Sequence, residues 1–199
     1  MNNMNLLPFT HDFHTSLAMS HRASDWPGWE PLYREFFPTF AGMCDHRQDG
    51  DHQRLGIDRS ITLANAKIIL VDEKVRGRNN NGNVYEDILL EVMSDKDRRT
   101  PGWVRKPLQA DYIAYLIAPL GICHLLPVLQ LQLAWERHGD KWTHENGTRE
   151  ARNTRWTTVN VPVDVNVLYQ AIGNGLHRSF TSWEVGTPEP TTGNRRTEP

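Results

Sequence analysis

Leu55-Gly56-Ile57-Asp58-Arg59-Ser60-Ile61-Thr62-Leu63, then Ala64-Asn65-Ala66, then Lys67-Ile68-Ile69-Leu70-Val71-Asp72-Glu73-Lys74-Val75-Arg76: these residues carry the period of a sheet. In an extended chain residues i and i+2 share a face. Leu55, Ile57, Arg59, Ile61 and Leu63 therefore lie on one side of the first segment, with Asp58 on the other. In the second segment Glu73 points with Ile69, Val71 and Val75, while Asp72 and Lys74 point together. Ala64-Asn65-Ala66 reads as a turn, so the two segments are expected to form an antiparallel hairpin. If they pair in that way, Asp58 and Asp72 converge across it.

Working outward, Pro31 opens a helical pattern of Leu32, Tyr33, Phe36, Phe37 and Phe40, which Pro38 kinks or ends. Cys44 to Arg54 is polar and reads as a loop. Beyond the hairpin, Gly77 to Asn83 is a connection and Val84 to Ser94 a third strand. Asp95 to Lys106 is a charged loop. Leu108, Tyr112, Tyr115 and Leu116 recur at helical spacing, which predicts a helix over Leu108 to Ala118. Ile122 to Leu126 reads as a buried strand. Pro127 opens a helix over Val128 to His138, with Gly139 past its end. Asp140 to Thr158 reads as irregular, and Val159 to Val163 as a short strand. Asp164 caps a last helix burying Val165, Leu168, Ala171, Ile172 and Leu176. The expected organisation is a lead-in over 1–28, one domain over 29–185 and a disordered tail over 186–199. The expected fold is an α/β, α+β-like sandwich: a central mixed sheet flanked by helices, its first three strands antiparallel.

Composition sets the outer limits. The 199 residues are 38% hydrophobic and 23% charged, enough for a folded core in one domain. The formal net charge of -2 advertises no polyanionic partner, though a local basic patch is compatible with it. Two cysteines, Cys44 and Cys123, make neither a disulfide framework nor a four-cysteine zinc site, and fit a reducing compartment. No apolar run approaches a membrane span, and no basic-then-apolar leader opens the chain. Neither glycine-rich nucleotide-binding motif occurs.

The hairpin carries the chemistry. Two convergent carboxylates repel unless a cation offsets them, and Mg²⁺ takes oxygen ligands. A lysine beside them can orient water or stabilise charge developing on a phosphate. Asp58, Asp72 and Lys74 in this order resemble the PD-(D/E)xK nuclease superfamily, the restriction-endonuclease-like fold. That family places a metal-binding Asp near one strand and Asp/Glu-x-Lys on the next, within a core of helix, three strands, helix and strand. The resemblance covers about half the chain, from Leu32 to Leu126. Asp58 follows Ile57 where the family often has Pro, and Glu73 is an additional carboxylate.

The resemblance implies a metal-dependent nuclease cutting DNA, with RNA as the other candidate substrate. It implies Mg²⁺ held by Asp58 and Asp72, with Mn²⁺ as a substitute and Glu73 as a further metal-ligand candidate. Lys74 assists the attacking water, and Glu35 of the first helix matches an acidic residue that approaches the family's metal site. The implied setting is the cytoplasm of a microbial or phage-infected cell. A homo-oligomer is left open. The alternative is an inactive nucleic-acid-binding or phage assembly protein on the same fold, marked by Lys74 consumed in a salt bridge.

Four weaker candidates concern substrate. Trp103, Arg105 and Lys106 interleave an aromatic with basic residues, as a contact to a phosphate backbone and a base requires. Tyr112 opens the expected second helix. Glu91 is a carboxylate inside the apolar Asp87-Ile88-Leu89-Leu90-Glu91-Val92 and needs a partner if buried: Arg76, Lys74 or the metal shell. His11, His14, His21, His46 and His52 are scattered over expected loops. Cys44 with His46 lacks two further ligands, so no zinc site is expected there.

Overall fold

A computed structural model describes residues 26–78, 82–152 and 155–173, and the backbone of 176–179. The expected lead-in up to residue 25 and the tail over 186–199 lie outside the described residues. The first helix, α1 (Trp29–Phe36), buries Trp29, Leu32, Tyr33 and Phe36 along one stripe, with Pro31 in its first turn. It ends before Pro38, as the sequence implies, because Pro lacks the N–H that continuation needs. Phe40 then leaves the helical pattern. It opens β1 (Phe40–Asp45), and the short helix α2 (Gly50–Leu55) comes next, in place of the expected loop. Asp49 caps α2 by accepting from the Asp51 and His52 N–H groups, and Gly56 closes it in the left-handed region at φ 71°.

The hairpin forms as expected. β2 (Arg59–Leu63) pairs antiparallel with β3 (Ile68–Arg76), with Arg59 opposite Val71. The third strand departs from the expectation of one sheet. This strand, β4 (Asp87–Asp95), does not continue the meander but joins a second sheet. Next to β3 comes β6 (Tyr112–Ile117), running parallel to it, Asp72 beside Ile113 and Lys74 beside Tyr115. The helix expected over Leu108 to Ala118 is therefore a strand. Tyr112-Ile113-Ala114-Tyr115-Leu116-Ile117 is buried on both faces, and such a strand reads as a continuous apolar run with no alternation.

β7 (Ile122–Pro127) returns antiparallel to β6, and β10 (Leu176–Ser179) pairs with β7. The first sheet thus has the order β1-β2-β3-β6-β7-β10. The second, of β5 (Thr100–Pro101), β4, β9 (Thr157–Asp164) and β8 (Arg149–Arg152), has the order β5-β4-β9-β8. The helix after Pro127, α3 (Val128–Asn146), runs through Gly139 instead of stopping there. Gly139 packs against Trp135, where a Cβ would come within 2.7 Å of the indole. Closeness, not chain reversal, is what that glycine supplies. Asp164 does cap α4 (Val165–Ile172), but Gly173 ends it at φ 71°, so Leu176 falls in β10 rather than on the helix.

Two cores result. One holds α1 against Ile61, Val71, Ala114, Leu116 and Leu125 of the first sheet. The other fills the space between the two sheets, α3 and α4, with Ile88, Leu90, Val161, Val163, Ile113, Ile117, Leu131 and Leu168 fully or almost fully buried. The molecule is a mixed α/β fold of two sheets flanked by helices. Among the described residues no helix is long and apolar enough to cross a membrane.

Candidate metal and catalytic site

β3 presents one face to each core. Val71 and Glu73 face α1, where Tyr33 donates to Glu73 Oε1 at 2.8 Å. Asp72, Lys74 and Arg76 face the second sheet, beside Ile113, Tyr115 and Ile117 of β6. On β4, Ile88, Leu90 and Val92 fill the core, which leaves Asp87 and Glu91 for polar contacts. Polar groups thus match along the seam between the sheets. Arg76 pairs with Asp87, the Leu89 N–H donates to Tyr115 Oη at 3.1 Å, and Lys74 feels the charge of Glu91.

Asp58 sits just ahead of β2, tied to β3 by its own N–H, which donates to the Val71 carbonyl at 2.9 Å. Its Oδ2 accepts from the Glu73 N–H at 2.8 Å, and its Oδ1 from Gln53 Nε2 at 2.7 Å. That fixes its carboxylate on the stretch of β3 that carries Asp72, near enough for its charge to act on Asp72. Lys74 forms an ion pair with Asp72 Oδ1.

Electrostatics follow from burial. Asp72 is pushed up to about 6 by loss of water, with the neighbouring Asp58 adding to the rise and Lys74 opposing it. Burial pulls Lys74 down, but Asp72, Asp58 and then Glu91 outweigh it and hold the ammonium above its ordinary value. Glu91 is raised by burial against the pull of Lys74, the Trp103 N–H and Lys106. The charges of Asp72, Asp58 and then Glu91 thus act on one part-buried ammonium, which is ion-paired with Asp72. Asp58 and Asp72 offer carboxylate oxygens, the donor type a hard divalent cation takes, while Glu91 acts on Lys74 through its charge.

The remaining candidates are placed elsewhere. Glu73 lies on the opposite face of β3 from Asp72, and its Oε1 accepts from Arg59 Nε at 2.5 Å. Burial pushes it up to about 7 against Arg59 and Tyr33, and its Oε2 has no hydrogen-bond partner among the described residues. Strand alternation thus makes it a core carboxyl and takes it away from the ligand set. Glu35 is exposed on α1, which covers the other face of the sheet, so the helix does not deliver it to Asp72. Trp103 is 6% exposed and packed in the core between the sheets, where no base can stack on it. Tyr112 meets Phe37 edge-on at 6.1 Å on the α1 side. Arg105 is exposed, whereas Lys106 is felt by Glu91.

Sequence reasoning missed Gln53. It lies in a polar stretch that reads as loop, and only the formation of α2 turns it toward Asp58. Glu91 carries a signal, an acid in an apolar strand, but nothing local names the sheet that strand joins. No protein-family model matches the chain, and neither a curated protein nor a solved structure is detectably similar to it.

Proposed function

We propose that this protein is a Mg²⁺-dependent nuclease of the PD-(D/E)xK type, acting on DNA in preference to RNA. The observation that carries the reading is that the hairpin holds Asp58 against β3 beside the Asp72–Lys74 ion pair, with the charge of Glu91 also acting on Lys74. Both aspartates come from the hairpin, and Glu91 belongs to the facing sheet. Asp58 and Asp72 would hold the ion, with Mn²⁺ as a substitute, and Glu91 takes the place that the resemblance implies for Glu35 or Glu73. Bound there, a hard cation polarises a phosphoryl oxygen and acidifies water. Gln53 and the Glu73 N–H orient Asp58, so its carboxylate is set before any ligand arrives. Lys74, kept protonated by its three acidic neighbours, is suited to stabilising charge that develops on the phosphate rather than to acting as a base. The restriction-endonuclease-like core is part of the same proposal. Support for it is the hairpin and the parallel β6 beside β3.

One observation favours the second reading, an inactive nucleic-acid-binding protein: Lys74 is already engaged by Asp72. Cleavage of single- and double-stranded DNA and RNA, measured with and without Mg²⁺, separates the two. The expected result is Mg²⁺-dependent cutting that Lys74→Ala lowers by about 10²–10³-fold at saturating substrate. Lys67→Ala, a loss of the same charge at the start of the strand, should cost far less. Binding without cutting by the wild-type protein establishes the second reading. Equal rates for Lys74→Ala and wild type reject the Asp-x-Lys mechanism.

A further inference from the structure

We propose that His46, Asp49 and His52 form a second metal site, for a borderline transition ion represented by Zn²⁺, beside the carboxylate cluster and chemically distinct from it. One ligand atom from each residue lies within 4.8 Å of the other two. Donors on one tetrahedral zinc ion stand about 3.4 Å apart, given bonds of about 2.0–2.1 Å, so to hold an ion the three must draw together and the two rings turn out of parallel. The imidazoles of His46 and His52 stack face to face, 4.0 Å between centroids and 9° between planes. Asp49 divides its two oxygens. Oδ1 accepts from the Asp51 and His52 N–H groups and pins α2, while Oδ2 lies 2.7 Å from His52 Nδ1, at the edge of the ring pair.

The frame is built in advance. The His46 N–H donates to the Asp58 carbonyl at 2.8 Å and the Asp49 N–H to the His46 carbonyl at 2.8 Å. The Ile57 N–H donates to the His52 carbonyl at 3.0 Å. All three ligand residues are thus anchored by backbone bonds, and His46 Nε2 rests 2.9 Å from Ser60 Oγ, a partner of the kind that fixes an imidazole's orientation. Two imidazoles and one carboxylate suit zinc-like ions, whereas Asp58, Asp72 and Glu91 offer oxygen alone. Three protein ligands leave a coordination position open to water. Such an ion would pin α2, the helix whose Gln53 holds Asp58.

The inference does not rest on nuclease activity, and its test reads binding. The metal-stripped full chain is titrated with Co²⁺, whose visible absorption reports imidazole and carboxylate ligation, and Zn²⁺ is then added as competitor. One equivalent of Co²⁺ should bind and be displaced by Zn²⁺. His52→Ala and Asp49→Asn should each weaken it at least tenfold. Asn still caps the helix, so Asp49→Asn decides the matter if His52→Ala fails to fold. Asp72→Asn should leave it unchanged. No saturable absorption, affinity unaltered in Asp49→Asn, or a loss confined to Asp72→Asn would each overturn the site.

Discussion

Glu91 belongs to a different sheet from Asp72, yet the same ammonium answers to both. That makes it the residue whose substitution is most informative. Glu91→Gln keeps size but removes a charge. If Glu91 belongs to the ion's surroundings, Mg²⁺ affinity read from thermal shifts should fall about 10–100-fold, the range for partners that orient metal ligands. An unchanged affinity would reduce Glu91 to a counter-ion of Lys74. Gly102 bears on the same spot: a Cβ there would lie 2.2 Å from the Glu91 carbonyl oxygen, a rigid backbone atom. Gly102→Ala should cost about 1–3 kcal/mol in urea unfolding and disturb the carboxylate with it. At this scale the sequence is half legible. Asp58, Asp72 and Lys74 announce themselves by parity on a hairpin. Trp103 does not, because a Trp in a basic loop reads the same whether its ring faces solvent or, as here, the core.

At the scale of the element, β3 sets two acids back to back, Asp72 toward the second sheet and Glu73 toward α1. Both are raised above their unfolded values, to about 6 and about 7. Folding therefore retains their protons to higher pH than the unfolded chain does. Their contribution to stability is complete below about pH 4 and is lost as pH rises through 6 and 7. Stability should thus decline from about pH 4 to pH 7 and level off above it, with Glu73 accounting for on the order of 3 kcal/mol. Glu73→Gln should flatten that decline in urea midpoints taken across the range, and Mg²⁺ should flatten the part due to Asp72. A variant that tracks the wild-type slope would mean that Glu73 stays ionised throughout. Elements differ in legibility for a physical reason. β2 and β3 alternate because each has chemically different faces. β6 is apolar on both sides, and its Tyr112, Tyr115 and Leu116 fall by coincidence on a helical period. β1 and α2 are hidden in a stretch whose order comes from caps and backbone bonds rather than from buried apolar residues, as Asp49 and Gly56 illustrate.

Across the whole molecule, the proposed site borders the seam between two sheets, and this decides how a cation there should act on stability. An ion held there by Asp58 and Asp72 would bind the folded chain alone. At a hundredfold excess over Kd it should add about 2.7 kcal/mol. For a chain of this size that raises Tm by roughly 5–10 °C, since each kcal/mol moves it about 2–4 °C. Asp58→Asn should abolish most of the rise, and a Tm indifferent to both Mg²⁺ and Mn²⁺ would dispose of a preformed site. The two-sheet architecture itself is beyond the sequence, because nothing in Asp87–Asp95 says which neighbour it will choose. The position of β3 in the strand order has a kinetic consequence. It lies inside the six-stranded sheet, shielded by a core on each side, whereas α2 is a six-residue helix with no buried residue. In deuterated water the amides of Asp72, Glu73 and Lys74 should be among the last to exchange, and those of His52 and Gln53 among the first. Asp72 then sits on a strand expected to open last, while Asp58 shares its hold between that strand, through the Glu73 N–H, and a helix expected to open first, through Gln53.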